Sequence, residues 1–342
     1  MKAPFPYFGG KSRIAAEVWA GLGDVGHYLE PFCGSCAVLL ARPQYDPTRH
    51  VETVVDADGH IANVWRSLQA DPDEVARWCD WPVNHADLIA RKKRLNLSTN
   101  DLLERLCADE AYYAPKLAGY YIWAASCWIG HGLICPGQRP HLACAGKGVH
   151  AKGQRPHLGT AGNGVHAKGQ RPHLGDAGKG VQDVYTPAIY EWFRELSDRL
   201  RRVRVVCGDW SRVCGGQWQA HPGRPVGVFF DPPYSDVADR DPGCYAVDSP
   251  DVAHAVRHWC CERDGDQDYR ICLAGYIEEH EELSSRGWRV HRWKTVGGYG
   301  NVSRTEGPGK GQRNRHREAL FFSPHCLGPT EAGLFDEAPE TP

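Results

Sequence analysis

Short apolar runs that alternate with helical periodicity constrain the fold of this chain more than any other feature. The clearest run, Val226 to Phe230, contains no charged residue and has the length of a strand that is buried on both faces. Because strands joined through helices pair in parallel, the alternation predicts a parallel sheet with helices on its faces. About seven strands are predicted, at His27 to Leu29, Val51 to Val55, Val203 to Cys207, Val226 to Phe230, Tyr269 to Leu273, Trp288 to Thr295 and Glu318 to Ser323.

The segments between these strands carry the periodicity of amphipathic helices. Thr186-Pro187 is a helix start signal with proline at the first helical position, so a helix is predicted from Ala188 onward. Helices are predicted at Ile14 to Leu22, Cys36 to Ala41, Ile61 to Leu68, Ala188 to Arg201 and Asp251 to Cys261.

A long interruption separates the two α/β stretches. Residues 71–128 have helical periodicity without apparent strands, and residues 137–184 are three copies of a sixteen-residue repeat rich in glycine and proline. Each copy has too few apolar residues to bury a core, so the repeats are predicted to be turn-rich and exposed. The predicted domains are residues 1–66 and 185–326 for the two parts of the sheet domain, 67–184 for an inserted domain, and 327–342 for a disordered acidic tail.

The composition excludes several classes of protein. With 342 residues, 42% of them hydrophobic, the chain can bury a sizeable core, which excludes a disordered or fibrous protein. The formal net charge of -2 means that local clusters, rather than the whole molecule, would have to hold a nucleic acid. No signal peptide and no apolar run long enough for a membrane span are apparent, so a cytoplasmic protein is expected.

The 14 cysteines raise the question of a metal site or a disulfide framework. They are scattered along the chain, and the only C-x-x-C, formed by Cys33 and Cys36, lies in a glycine turn with no second matching pair. A structural zinc site needs about four ligands. We therefore expect no metal site, and we interpret the cysteines as mostly small buried side chains in a reducing compartment.

Three loops at predicted strand ends carry residues suited to ligand binding, because ligands of parallel sheets bind outside the carboxyl ends of the strands. The first loop, Glu30 to Ser35, contains a glycine that allows close backbone approach, although an ordinary turn has the same appearance. The second contains Asp56 and Asp58. A carboxylate there is placed to accept ribose hydroxyls, and Asp58 can equally be only a helix cap.

The third loop is Asp231-Pro232-Pro233-Tyr234, directly after the apolar run Val226 to Phe230. Its prolines remove N–H donors, so the loop offers the Asp231 carboxylate and the Pro232 carbonyl as acceptors beside an aromatic ring. These acceptors suit the two N–H donors of an aryl amine whose ring stacks on Tyr234. A base inside a duplex cannot reach this geometry, so a duplex substrate would have to extrude the target base.

The Asp231-Pro232-Pro233-Tyr234 motif resembles the catalytic motif of amino-methylating DNA methyltransferases, and Phe8-Gly9-Gly10-Lys11 resembles the first motif of the Dam-like (D12 class) adenine enzymes. The order of the motifs along the chain also agrees. The resemblance covers about residues 4–68 and 186–324, through Ala274-Gly275-Tyr276 and Arg317 to Phe322. It implies a Rossmann-like S-adenosylmethionine-dependent sheet with an inserted, mostly helical target-recognition domain. It also implies methyl transfer from S-adenosylmethionine to N6 of adenine in a flipped-out DNA base.

The resemblance assigns roles to individual residues. Asp231, Pro232, Pro233 and Tyr234 would be catalytic. Tyr7 and Lys11 would contact the methionine end of the cofactor, Asp56 would bind its ribose, and Asp209 would either accept from its adenine amino group or be an ordinary turn residue. The residues expected to bind the cofactor are Tyr7, Phe8, Gly9, Gly10, Lys11, Glu30, Pro31, Phe32, Gly34, Asp56, Asp209 and Asp231.

Two basic regions are candidates for DNA contact. Each repeat presents Gln and Arg before a Pro-His pair, which can contact phosphates and guanine edges, and a flexible expansion of a surface loop is an equal alternative. The glycine-rich segment between the last two predicted strands is interpreted as a phosphate clamp, with a solvated loop as the alternative. The expected DNA-binding residues are Arg139, Arg155, Arg171, Lys310, Arg313 and Arg315.

Two alternatives to adenine methylation remain. The same acceptors would hold the amino group of cytosine, which gives N4-cytosine methylation, and a non-catalytic DNA-binding protein could retain the fold. The intact Asp231 and Lys11 argue against the second alternative. The expected partner is double-stranded DNA, with a cognate restriction enzyme as a further partner in a restriction-modification system. We expect a monomer and no membrane partner.

Overall fold

The centre of the protein is a single sheet. The computed structural model describes residues 1–7, 9–127, 133, 187–215, 225–234, 251–293 and 317–328. Its strands are β1 (His27–Glu30), β2 (Val51–Asp56), β3 (Arg204–Cys207), β4 (Val226–Phe230), β5 (Tyr269–Tyr276), β6 (Arg289–Arg292) and β7 (Glu318–Phe322). They form one seven-stranded sheet in the order β3-β2-β1-β4-β5-β7-β6.

The first five strands of the sheet are parallel. β1 pairs with both β2 and β4, β3 pairs with β2, and β5 pairs with β4. The strand order therefore reverses at β1, which is the topological switch point where doubly wound sheets bind ligands. The predicted mostly parallel α/β sheet is confirmed. The antiparallel insertion of β7 between β5 and β6 was not predicted.

Helices flank this sheet and also form most of residues 71–127. The helices are α1 (Ala15–Leu22), α2 (Ala37–Leu40), α3 (Gly59–Ala70), α4 (Pro72–Cys79), α5 (His85–Ala108), α6 (Pro115–Cys127), α7 (Pro187–Leu200), α8 (Ser211–Cys214), α9 (Val252–Arg263) and α10 (Glu281–Ser285). Each predicted helix is present, with its ends shifted by up to two residues. The short helices α8 and α10 were not predicted.

Alternate side chains of the strands enter two separate cores, as the two-residue period of a strand requires. Phe229 packs in the core that contains α1, α3, α6 and α7, whereas Phe230 packs in the core that contains α8 and α9.

The close crossing of α4 and α6 needs a glycine, because a Cβ at Gly119 would lie 2.4 Å from the Cβ of Trp78. The described helices of residues 71–127 thus share a core with the sheet.

Two predicted strands differ from the observed ones by more than one residue at an end. β5 continues to Tyr276, three residues beyond the predicted end at Leu273, because β7 pairs along it up to that residue. β6 is shorter than the predicted Trp288 to Thr295, although Trp288 itself is buried.

Several predictions concern residues outside the described ranges. The sixteen-residue repeats and most of the acidic tail belong to these residues. Within the ranges that the structure does describe, no helix combines the length and apolar character that a membrane crossing requires.

Candidate active site

A pocket lies at the switch point, where the carboxyl ends of β1, β2, β3 and β4 meet. Ten of the residues predicted to bind a cofactor line it: Tyr7, Gly10, Lys11, Glu30, Pro31, Phe32, Gly34, Asp56, Asp209 and Asp231. Pro233 also lines the pocket. Residues far apart in the chain are therefore brought together where parallel sheets bind ligands.

The turn after β1 forms one wall of the pocket. Gly34 has a φ of +44°, and a Cβ at this position would lie 2.6 Å from the ring of Tyr7, so glycine is required for both reasons. The Gly34 carbonyl accepts a hydrogen bond from Trp65 Nε1 at 3.0 Å. The predicted glycine turn is therefore a fixed wall that allows the backbone to approach a ligand closely.

Glu30 at the end of β1 is almost completely buried. Its Oε2 accepts hydrogen bonds from the Tyr28 hydroxyl and the Leu39 amide, each at 3.0 Å. Burial raises the pKa of this carboxyl to about 8, although the two hydrogen bonds oppose the shift. Glu30 is therefore expected to be mostly protonated in the folded protein at neutral pH.

In Glu30→Gln, the free energy of unfolding is expected to fall less than in the wild-type protein as the pH rises from 5 to 8. The pKa of Glu30 is about 8 in the folded protein and about 4.5 in the unfolded chain. Between these values the folded state binds more protons, so this group's contribution to stability falls as the pH rises. Chemical denaturation of the two proteins at several pH values measures the effect. The exposed Glu17→Gln is the control, and an unchanged pH slope in Glu30→Gln would contradict the assignment.

Asp56 at the end of β2 faces the pocket. Its Oδ2 accepts from the Gly34 amide and its Oδ1 from the Asp58 amide, both at 2.9 Å. Burial and the nearby Asp58 raise the pKa of Asp56 to about 7. Asp58 caps α3 by accepting from the His60 amide at 2.8 Å. Both side chains line the pocket, and Asp58 is in addition the cap of α3, so Asp56 is the stronger candidate ligand.

Asp209 is a turn residue that also lines the pocket. Its Oδ1 accepts from the Ser211 amide at 3.0 Å, as a turn residue does, and the residue also lines the pocket. The apolar walls of the pocket, which include Val38, Trp210 and Phe229, were not predicted. A large aromatic residue directly after a strand-end Asp was the available signal for Trp210.

Lys11 and Asp231 form a buried ion pair at one end of the pocket. Lys11 Nζ lies 2.8 Å from Asp231 Oδ1 and 2.9 Å from Oδ2, and it also donates to the Gly9 carbonyl at 2.7 Å. The side chain of Lys11 is 5% exposed and that of Asp231 is 22% exposed. The structure thus places Lys11 on the carboxylate of the candidate catalytic motif.

The charges of this pair depend on each other. Burial alone would lower the pKa of Lys11, but the Asp231 and Glu318 carboxylates raise it above its usual value. Burial raises the pKa of Asp231, and Lys11 opposes that rise. Without Lys11, the pKa of Asp231 would be higher, and a smaller fraction of its carboxyl group would be ionised at a given pH.

Tyr234 contacts two residues that were not predicted as site residues, Glu318 and Tyr276. Its hydroxyl donates to Glu318 Oε1 at 2.7 Å, and its ring stacks on that of Tyr276 with centroids 4.1 Å apart and planes 3° from parallel. Both partners belong to segments that carry the family resemblance. A charged residue that begins the apolar strand β7 was the available signal for Glu318.

Several expected site residues lie outside the described ranges. They are Phe8, Arg139, Arg155, Arg171, Lys310, Arg313 and Arg315. In the part of the chain that is described, no cluster of three or more His, Cys, Asp or Glu residues could hold a metal ion, and the cysteines there are free thiols.

No protein-family model and no curated protein matches this sequence. The functional argument therefore depends on the motifs and on the geometry of the site.

Proposed function

We propose that this protein is a DNA methyltransferase that transfers a methyl group from S-adenosylmethionine to N6 of adenine. The observation that carries the proposal is the Asp231 carboxylate, which Lys11 pairs with at 2.8 Å at the end of a pocket at the switch point. An acceptor carboxylate in the lining of such a pocket suits the methylation of an amino group. The motif order of the Dam-like family supports adenine and DNA.

The residues of the pocket fit the proposed cofactor. S-adenosylmethionine supplies an electrophilic methyl group when it is bound. Asp56 lies at the end of β2, where a carboxylate can accept ribose hydroxyls, and the Gly34 turn allows close backbone approach. Apolar side chains such as Val38 and Phe229 offer surfaces for an adenine ring. A lining that combines polar groups with apolar walls suits a nucleoside with a charged tail.

Asp231 and the Pro232 carbonyl would hold the target amino group. Each would accept a hydrogen bond from one of its two N–H groups, which would turn the nitrogen lone pair toward the methyl group. Positive charge would develop on this nitrogen as the new bond forms and the cofactor's bond to the methyl group breaks, and the Asp231 carboxylate would stabilise that charge in a partly buried site. One N–H proton would then leave to solvent. Tyr234 would stack on the extruded base. These roles require no metal ion.

The same acceptors would hold the amino group of cytosine, so N4-cytosine methylation is the second candidate. The proposed substrate is double-stranded DNA in the cytoplasm. Incubation of the purified protein with labelled cofactor and unmethylated duplex DNA, followed by nucleoside analysis, tests the proposal. N6-methyladenine is the expected product. N4-methylcytosine would favour the second candidate, and the absence of methylated nucleosides would contradict both.

Lys11→Met is expected to lower methyl transfer at neutral pH by roughly a hundredfold. Without the ammonium group, burial raises the pKa of Asp231 further, so a smaller fraction of the carboxylate is ionised. The acidic limb of the pH–rate profile should therefore move to higher pH, and activity should partly recover there. The pH dependence of kcat measures this shift. Arg13→Met, which removes an exposed cation nearby, is the control. A profile that keeps its position in Lys11→Met would contradict this role.

A further inference from the structure

Two tyrosine rings form a stacked pair at the carboxyl ends of the neighbouring strands β4 and β5. Tyr234 and Tyr276 have centroids 4.1 Å apart and planes 3° from parallel, and their side chains form a small core of their own. The pocket described above reaches Asp231 and Pro233 but neither of these two rings. The pair therefore stands beyond Asp231, outside the lining of the pocket.

Contacts from β7 hold this pair together. The Tyr234 hydroxyl donates to Glu318 Oε1 at 2.7 Å, and Glu318 is the register partner of Tyr276 in the β5–β7 ladder. The Arg317 guanidinium lies over the ring of Tyr276, 4.6 Å from its centroid. Because Tyr234 covers one face of Tyr276, Arg317 covers the opposite face. Tyr276 is thus fixed on both faces and by its strand.

We propose that Tyr276 is a second base-stacking residue, and that the Tyr234–Tyr276 pair is the closed form of a slot that receives the extruded base. This inference rests on the proposed function. The hydrogen bond from Tyr234 to Glu318 stabilises the closed form of the slot. In the open form the base lies between the two rings, with its amino group toward Asp231.

Insertion between the rings agrees better with the contacts than displacement of Tyr276. To hold a base between them, the planes of the two tyrosine rings must lie about 7 Å apart, which is twice a van der Waals contact distance. One of the two rings must therefore move by about 3 Å. Tyr276 is held by backbone pairing and by Arg317, whereas Tyr234 belongs to the loop after β4. Insertion breaks the hydrogen bond from Tyr234 to Glu318 and replaces one ring contact with two. Displacement would break the contacts of Tyr276 on both faces and form one.

The first test compares variants at the two ends of β5. Tyr276→Ala is expected to lower kcat/KM for unmethylated duplex DNA by about 10- to 100-fold, because one stacking surface for the base is lost. The dissociation constant of S-adenosylmethionine, measured by calorimetry, should not change. Tyr276→Phe keeps the ring and is expected to recover most of the loss. Tyr276→Leu keeps an apolar side chain without the ring and should resemble the alanine variant.

Tyr269→Ala is the matched control, because Tyr269 is a similarly buried tyrosine at the other end of the same strand. It should leave kcat/KM within about threefold of the wild-type value. Equal losses in Tyr269→Ala and Tyr276→Ala would show a general packing effect and overturn the proposal. Wild-type kcat/KM in Tyr276→Leu would also overturn it.

A second test does not depend on methyl transfer. A pool of duplexes of mixed sequence carries one mismatched 5-iodouracil, which is extruded at low cost and crosslinks to stacked aromatic rings under ultraviolet light. Crosslinks mapped by mass spectrometry to both Tyr234 and Tyr276 are expected. Such crosslinks without methylation of DNA would support the slot and contradict the proposed function. Methylation with crosslinks to Tyr234 alone would support the function and overturn the slot, and crosslinks to neither ring would overturn the slot whether or not DNA is methylated.

Discussion

Asp231→Ala is expected to lower methyl transfer by about 10³-fold and to leave cofactor binding largely in place. The substitution removes the carboxylate that would stabilise positive charge on the amino nitrogen. It also leaves the Lys11 ammonium, which is 2.8 Å from that carboxylate in the wild-type protein, without this partner. Transfer from labelled cofactor to unmethylated duplex DNA measures the loss. Full activity of the variant would contradict the proposed mechanism.

Two further variants separate chemistry from folding at Asp231. Asp231→Asn keeps the shape of the side chain and removes its charge, so it should lose nearly as much activity as the alanine variant. Asp231→Ala alone leaves the buried Lys11 without this partner and should reduce the free energy of unfolding. The double variant with Lys11→Met removes both charges and should recover part of that stability. Recovery of stability without recovery of activity would show that the carboxylate has a chemical role.

Local sequence pattern was sufficient to predict most of the sheet. Runs such as Val226 to Phe230 are apolar throughout because both faces of the strand are buried, one face against each core. The order of the last strands was not predictable in the same way. β7 pairs with β5 over a separation of more than 40 residues, and nothing in either segment specifies an antiparallel neighbour. Strand pairing of this kind depends on the whole fold.

The candidate site shows the same division. The acceptor at Asp231, the Gly34 turn and Asp56 were predicted because parallel strands bring their carboxyl ends to one edge. The ion pair of Asp231 with Lys11 joins residues 220 positions apart, and the hydrogen bond of Tyr234 with Glu318 joins residues 84 apart. These pairs follow from the packing of side chains in three dimensions. Residue types at strand ends therefore predict which groups meet, and the structure is needed to show which groups pair.

Glu52→Ala is expected to lower the free energy of unfolding by about 3–5 kcal/mol, since it leaves two arginines without their buried carboxylate. The Glu52 side chain is completely buried. Arg199 approaches it with two nitrogens at 2.7 and 2.9 Å, and Arg42 approaches Oε1 at 3.3 Å. Since Arg199 belongs to α7 and Arg42 follows α2, this carboxylate joins two segments that are far apart in the sequence. Chemical denaturation measures the loss.

Glu74→Ala is the control for this prediction. Glu74 forms an ion pair with Arg77 on the surface of α4, at 3.2 Å, with side chains that are 33% and 65% exposed, and it also accepts a hydrogen bond from Trp78 Nε1 at 2.8 Å. Exposed pairs contribute at most about 1 kcal/mol, because water and salt screen them and both side chains lose freedom. A loss in Glu52→Ala no larger than that in Glu74→Ala would contradict the buried network. A large loss would show that the network stabilises the packing of α7 against β2, the strand whose end carries Asp56.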